Sequence, residues 1–92
     1  MKANRFDVNS LFDVVSNRLS VFFASHANSV PANVYDTVVQ QIEKALLIET
    51  LRYTKGNQLL ASKVLGINRN TLRKKIALLG ITEVDFVKAE SQ

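Results

Sequence analysis

The 92-residue chain contains no cysteine and a single histidine, His26. Disulfides and zinc–thiolate sites are therefore excluded as staples, and no His/Cys/Asp grouping has metal-ligand spacing. No metal or other cofactor is expected, and His26 reads as a local helix-end residue. No apolar run exceeds four residues, as at Ala45–Ile48, far short of the ~20 needed to span a bilayer. No charged-then-apolar leader with a small-residue cleavage site opens the chain, so a reducing cytoplasm is the expected compartment. Catalytic sets are missing as well. Asp36 and Glu43 share a helical face, but capping and solvation explain them better than acid/base work, and no nucleophile–base set or phosphate-cradling glycine loop accompanies them. An enzyme is not expected.

The chain is rich in apolar residues instead. They make up 47% of a chain whose size allows only one small domain, and such a domain buries little core on its own. A second copy completing the core is one way to use the excess. Charge is unevenly placed. Residues 1–51 hold four bases (Lys2, Arg5, Arg18, Lys44) against five acids (Asp7, Asp13, Asp36, Glu43, Glu49), net −1. Residues 52–81 hold seven bases and no acid, net +7, and residues 82–92 set Lys88 against Glu83, Asp85 and Glu90, net −2. A basic segment between a near-neutral body and an acidic tail is a footprint for a polyanion, although a merely solvated helix face remains the alternative.

Periodicity organises the chain into helices. Residues 1–9 show no sustained period and read as a loose arm. Leu11, Val14, Val15, Leu19, Phe22 and Phe23 fall at helical spacing from Ser10 to about Ser25, with Ser10 and Asp13 placed like a capping box. Asn28, Ser29 and Pro31 interrupt the pattern. Asn33 and Asp36 repeat the capping arrangement for a second helix that ends near Tyr53. Its stripe is Tyr35, Val38, Val39, Ile42, Ala45, Leu46, Glu49 and Tyr53. Around residues 45–51 this helix is apolar on nearly every side, because Leu47, Ile48 and Leu51 lie off the stripe. An all-round apolar helix must be buried all round. Packing against the same helix of a second chain achieves that, with Val38, Ile42 and Leu46, and Phe22 of the first helix, as dimerisation candidates; a monomer with this helix inside its own core is the alternative.

Gly56 is placed as the left-handed stop of the second helix. A third helix is expected from Asn57 to about Leu65, ended by Gly66, and a fourth from Arg69 to Leu79, capped by Asn68 and ended by Gly80. Two short helices joined by Gly66-Ile67-Asn68 imply the crossing of a helix-turn-helix. Ala61 and Ser62 are small where the helices must approach, and Leu65, Ile67, Leu72 and Ile76 supply a core between them. The expected fold is all-α: two dimerisation helices within 10–56, a helix-turn-helix at 57–80 and an acidic tail at 81–92. On the fourth helix the first turn (Asn68, Arg69, Asn70, Thr71) is the part that enters a major groove. Arg can pair with guanine and Asn with adenine in bidentate fashion. Arg73, Lys74 and Lys75 follow within reach of flanking phosphates, with Lys55 beside them, and Asn57 begins the third helix as a further backbone contact.

The segment TKGNQLLASKVLGINRNTLRKKI closely resembles the C-terminal signature of the Fis family. It also resembles the DNA-binding domain that ends NtrC-type enhancer-binding activators. The resemblance extends through the two preceding helices, covering roughly residues 10–80. It implies an intertwined all-helical homodimer whose paired recognition helices bend double-stranded DNA. Asn68 and Arg69 would then touch bases, and Asn57, Thr71, Arg73 and Lys74 would mainly hold phosphates. Several positions depart from the pattern. About nine residues precede the first helix where Fis carries a β-hairpin arm, which argues against a recombinase contact. Ala45 stands where a proline is common, Leu59-Leu60 where a Thr-Arg pair is frequent, and Ala77-Leu78 where a lysine pair sits. The expected function is a cytoplasmic, nucleoid-associated DNA-bending regulator. The alternatives are the DNA-binding end of an NtrC-type activator and a protein-interaction module.

Overall fold

The computed structural model describes residues 10–87, all of whose regular structure is helical. The proposed arm at 1–9 lies outside the described residues. Five helices follow in order: α1 (Leu11–Ala24), α2 (Val34–Tyr53), α3 (Gln58–Leu65), α4 (Arg69–Leu78) and α5 (Glu83–Val87). The chain divides into two compact units, residues 1–32 and 33–92. The boundary thus falls between the two helices that sequence pattern grouped together. Among the described residues, no helix is long and apolar enough to cross a membrane.

In the first unit, α1 buries none of its residues; Phe12, Val14, Val21 and Phe23 all stand exposed. Ser10 does not act as the expected cap, because its backbone is already right-handed (φ −86°, ψ −4°) and its side chain makes no capping hydrogen bond. A side-chain cap needs an extended residue whose oxygen can turn back to the next amides. His26 is the local helix-end residue expected: its Nδ1 meets the Phe22 carbonyl at 2.8 Å and its ring lies against that of Phe22. That carbonyl can only accept, so Nδ1 carries the proton.

The second unit is built around α2. Asn33 also fails to cap, for a different reason: it occupies the left-handed region (φ 57°, ψ 31°), which Asn tolerates in turns, and only its carbonyl joins the helix, accepting from Thr37 N at 3.1 Å. Along α2 the buried residues are Leu47, Thr50 and Leu51, with Thr54 following at the helix end. They fall at i, i+3, i+4 and i+7, one helical face. The expected stripe is therefore not the intramolecular one. Leu47 is 2% exposed whereas Leu46, on the predicted stripe, is 53% exposed. The off-stripe residues are the core, and Tyr35, Val39, Ile42, Leu46 and Tyr53 remain uncovered about 110° round the helix.

The core that α2 joins consists of Leu47, Leu51, Ala61, Leu72 and Ile81, with Ile48, Leu65, Ile67, Ile76, Leu79 and Phe86 packed against it. The small residues predicted at the helix crossing, Ala61 and Ser62, are both buried. Helix ends hold these pieces at fixed angles. Past Tyr53 the left-handed residue is Lys55 (φ 55°) ahead of Gly56 (φ 83°), and Gly56 N donates to the Leu51 carbonyl at 2.8 Å while Lys55 N donates to Arg52 O at 3.2 Å. Those are the two bonds of a Schellman ending. The same pair recurs after α4, where Ile81 N donates to Ile76 O at 3.0 Å and Gly80 N to Ala77 O at 3.2 Å. There the ending also delivers the Ile81 side chain into the core.

Residues from 81 onward, read from sequence as an acidic tail, thus begin with a core residue and continue as α5. Asp85 caps this short helix, accepting from Thr82 N at 2.8 Å. Arg52, which also pairs with Glu49, donates from Nη2 to the Asp85 carbonyl at 2.6 Å and ties α5 to α2. Phe86 lies so close over Gly56 that a Cβ there would sit 3.3 Å from its ring. Two of the tail's acids serve local structure: Glu83 and Asp85 fall in the first turn, where the helix dipole favours them.

Leu72 is 0% exposed and central to this core. Leu72→Ala is expected to cost about 2–5 kcal/mol. The measurement is a urea transition, whose midpoint should fall with little change in slope.

Candidate nucleic-acid interface

The α3–α4 pair is assembled by two asparagines. Asn57 is extended (φ −76°, ψ 102°) and its side chain accepts from Leu60 N at 3.0 Å. Asn68 is extended likewise (φ −67°, ψ 143°) and accepts from Asn70 N at 2.7 Å. Each satisfies one of the amides that a helix start leaves unpaired. Between them Gly66 takes the left-handed conformation (φ 76°) that ends α3, and Ile67 N donates to Ser62 O at 3.1 Å. The turn is three residues long, Gly66 to Asn68, as the spacing predicts.

Helical geometry then sorts the side chains of α4. Leu72, Ile76 and Leu79 face inward, Leu72 in the core and the other two packed against it. Arg69, Asn70, Thr71, Arg73 and Lys74 are exposed. Arg73 Nη2 reaches Asn70 Oδ1 at 3.4 Å, a long contact along the outer face. Arg69 and Lys74 make no side-chain hydrogen bond or ion pair with any described residue. Lys55 and Asn57 are exposed at the junction of α2 and α3. The structure therefore brings most of the candidate residues onto the surface of one compact unit.

Lys75 differs. It lies three residues after Leu72 and four before Leu79, on the inward stripe, and its Nζ pairs with Glu43 Oε2 at 2.6 Å. Charge counting by segment missed this pair, because the acid comes from α2, outside the acid-free stretch. The usable signal was Lys75's own spacing from Leu72 and Leu79, together with Glu43 one turn before Leu47. Leu59 and Leu60 stand exposed on α3 where the family pattern has polar residues, and Leu78 is exposed at the end of α4. These sites offer no charge.

Two short helices, each started by an asparagine and joined by a glycine turn, with a cationic outer face on the second, define a helix-turn-helix protein. Residues 38–79 match the family described as "Bacterial regulatory protein, Fis family". A putative Fis-like DNA-binding protein of Ralstonia nicotianae is 40% identical over 73 residues, covering 79% of this chain and 95% of that protein. Another, of Neisseria meningitidis, is 42% identical over 67 residues, 73% of this chain and 85% of the relative. The chain belongs to the Fis family. It is also 44% identical over 75 residues to the DNA-binding transcriptional regulator NtrC of Azospirillum brasilense, of which it spans only 16%. No solved structure matches the chain.

The cap and any ligand contact of Asn68 can be separated. Asn68→Ala is expected to lose about 1 kcal/mol of stability, while Asn68→Asp keeps the acceptor at a helix start that favours negative charge and loses little. Thermal melts of the two variants decide it; equal losses would show that the bond to Asn70 N is not what Asn68 contributes.

Proposed function

We propose that this chain is a homodimeric, DNA-bending transcriptional regulator of the nucleoid, reading the major groove with α4. The observation that carries the reading is the outer face of α4, where Arg69, Asn70, Arg73 and Lys74 stand exposed around a helix start capped by Asn68. Arg69 is placed to read a guanine edge, with Asn68 and Asn70 as further base-facing residues. Arg73, Lys74 and Lys55 take phosphates, and Asn57 and Thr71 add neutral backbone contacts. Lys75 is withdrawn from the phosphate set, because its charge is engaged by Glu43.

The uncovered stripe of α2 supports the dimer. Tyr35, Val39, Ile42, Leu46, Glu49 and Tyr53 follow a 4-3-4-3-4 spacing, the pattern of a helix seam shared between chains. Val38 flanks this seam, and Phe22 of α1 belongs to an apolar helix that its own unit leaves largely exposed. Bending rests on the family resemblance alone. A second reading, the DNA-binding end of an NtrC-type activator, is favoured by the 44% identity to a regulator several times longer. Both readings require the same groove-facing α4.

Because the core of the second unit closes within one chain, assembly and folding separate. Leu46→Glu places a charge in the proposed seam at a cost of several kcal/mol, yet it leaves Leu47, Leu51 and Leu72 untouched. Sedimentation should show a monomer, with helical content retained by circular dichroism. A wild-type protein that sediments as a monomer at micromolar concentration would exclude the dimer.

Three cations per subunit, six per dimer, predict a slope of log K against log salt of roughly −5 on duplex DNA. Arg69→Ala should cost about 1–3 kcal/mol for each half-site guanine, with non-specific binding much less affected. Competition between a preferred site and one with its guanine replaced measures this. Equal weakening on both would assign Arg69 to phosphate, and a wild-type slope near zero would reduce the basic segment to a solvated face.

A further inference from the structure

Most of what joins α4 to α2 is apolar. Leu72, Ile76 and Leu79 share one apolar cluster with Leu47, Ile48 and Leu51, and apolar contact is non-directional, so it fixes distance better than rotation. One contact across this junction has direction. Lys75 Nζ and Glu43 Oε2 stand 2.6 Å apart, with side chains 37% and 30% exposed. Glu43 lies one turn before the buried Leu47 on α2, and Lys75 lies within the inward stripe of α4. Both stems therefore run along the core edge and bring their charges together at its rim. The ion pair of Arg52 with Glu49, by contrast, lies within α2.

We propose that Glu43 and Lys75 are a positioning pair that sets the rotation and pitch of the recognition helix on the dimerisation helix. This rests on the homodimer reading: with α2 fixed at the two-fold axis, the pitch of α4 sets the separation of the two recognition helices. The pair thereby determines which half-site spacing the protein accepts. Lys75 acts through Glu43 and touches no phosphate. A cation on the helix that reads DNA is used to aim that helix.

The test uses Glu43→Gln, Lys75→Gln and the exchanged pair Glu43→Lys with Lys75→Glu, each in the full chain and each checked for helical content. Binding is measured on duplexes whose half-site spacing is varied one base pair at a time, and the salt slope is measured on the preferred duplex. Each single variant should keep the wild-type salt slope and lose about fivefold of its discrimination between spacings, the scale of one modest ion pair. The exchanged pair should restore that discrimination with the slope still unchanged. A phosphate-binding Lys75 gives the opposite pattern: the slope of Lys75→Gln falls by roughly two, spacing discrimination persists, and the exchanged pair weakens every duplex. That result overturns the proposal, as do single variants that match wild type in both measurements. If the wild type sediments as a monomer, the dimer reading fails separately. The pair is then judged by residual dipolar couplings, where an α4 orientation relative to α2 that is identical in wild type and Glu43→Gln overturns it.

Discussion

The second unit depends on one close approach, where α3 comes down on its neighbours at Ala61. With no exposed surface of its own, Ala61 lets the α3 backbone sit near the leucines of α2 and α4; a larger side chain would force them apart, since packed interiors leave no room for added volume. Ser62 beside it is buried too, its hydroxyl returned to the Leu59 carbonyl at 2.7 Å. Leu72 fills the space this approach creates. Everything on the outer face of α4 is presented from that anchor, so the exposed cations Arg69, Arg73 and Lys74 are held by an apolar contact on the far side of their own helix.

Two helices in this unit carry two jobs on separate faces. α2 buries Leu47 and Leu51 against the helix-turn-helix and leaves Tyr35, Val39, Ile42 and Leu46 uncovered. α4 buries Leu72 and leaves Arg69, Arg73 and Lys74 outside. The same rigid pieces that make the core thus display the surfaces that a second chain and a polyanion would use. That economy suits a chain of 92 residues, where no helix can be spared for core alone. α5 extends the arrangement beyond the family's matched span of 38–79. It closes over Gly56 and takes up Arg52, which removes one of the seven bases of the central segment from solvent-facing duty.

Sequence alone determined the elements whose signals are local. The turn at Gly66–Asn68, the cap at Asn68, the stops at Gly66 and Gly80 and the small crossing residues all follow from backbone chemistry within a few positions, and each was legible; Asn57, expected as the first residue of the third helix, is its cap instead. Ser10 and Asn33 have the residue types of a cap without its extended backbone, and residue type signals a cap only where the backbone is extended. Tertiary structure decided the rest. Which of two apolar faces of α2 turns inward cannot be read from a helix apolar on both, since periodicity gives the angle between faces and not the neighbour of either. Whether Ile81 and Phe86 join a core depends on the direction in which the Gly80 turn sends the chain. The role of Lys75 depends on a carboxylate 32 positions earlier, and a charge count along the chain has no term for the distance between two helices packed against the same leucines.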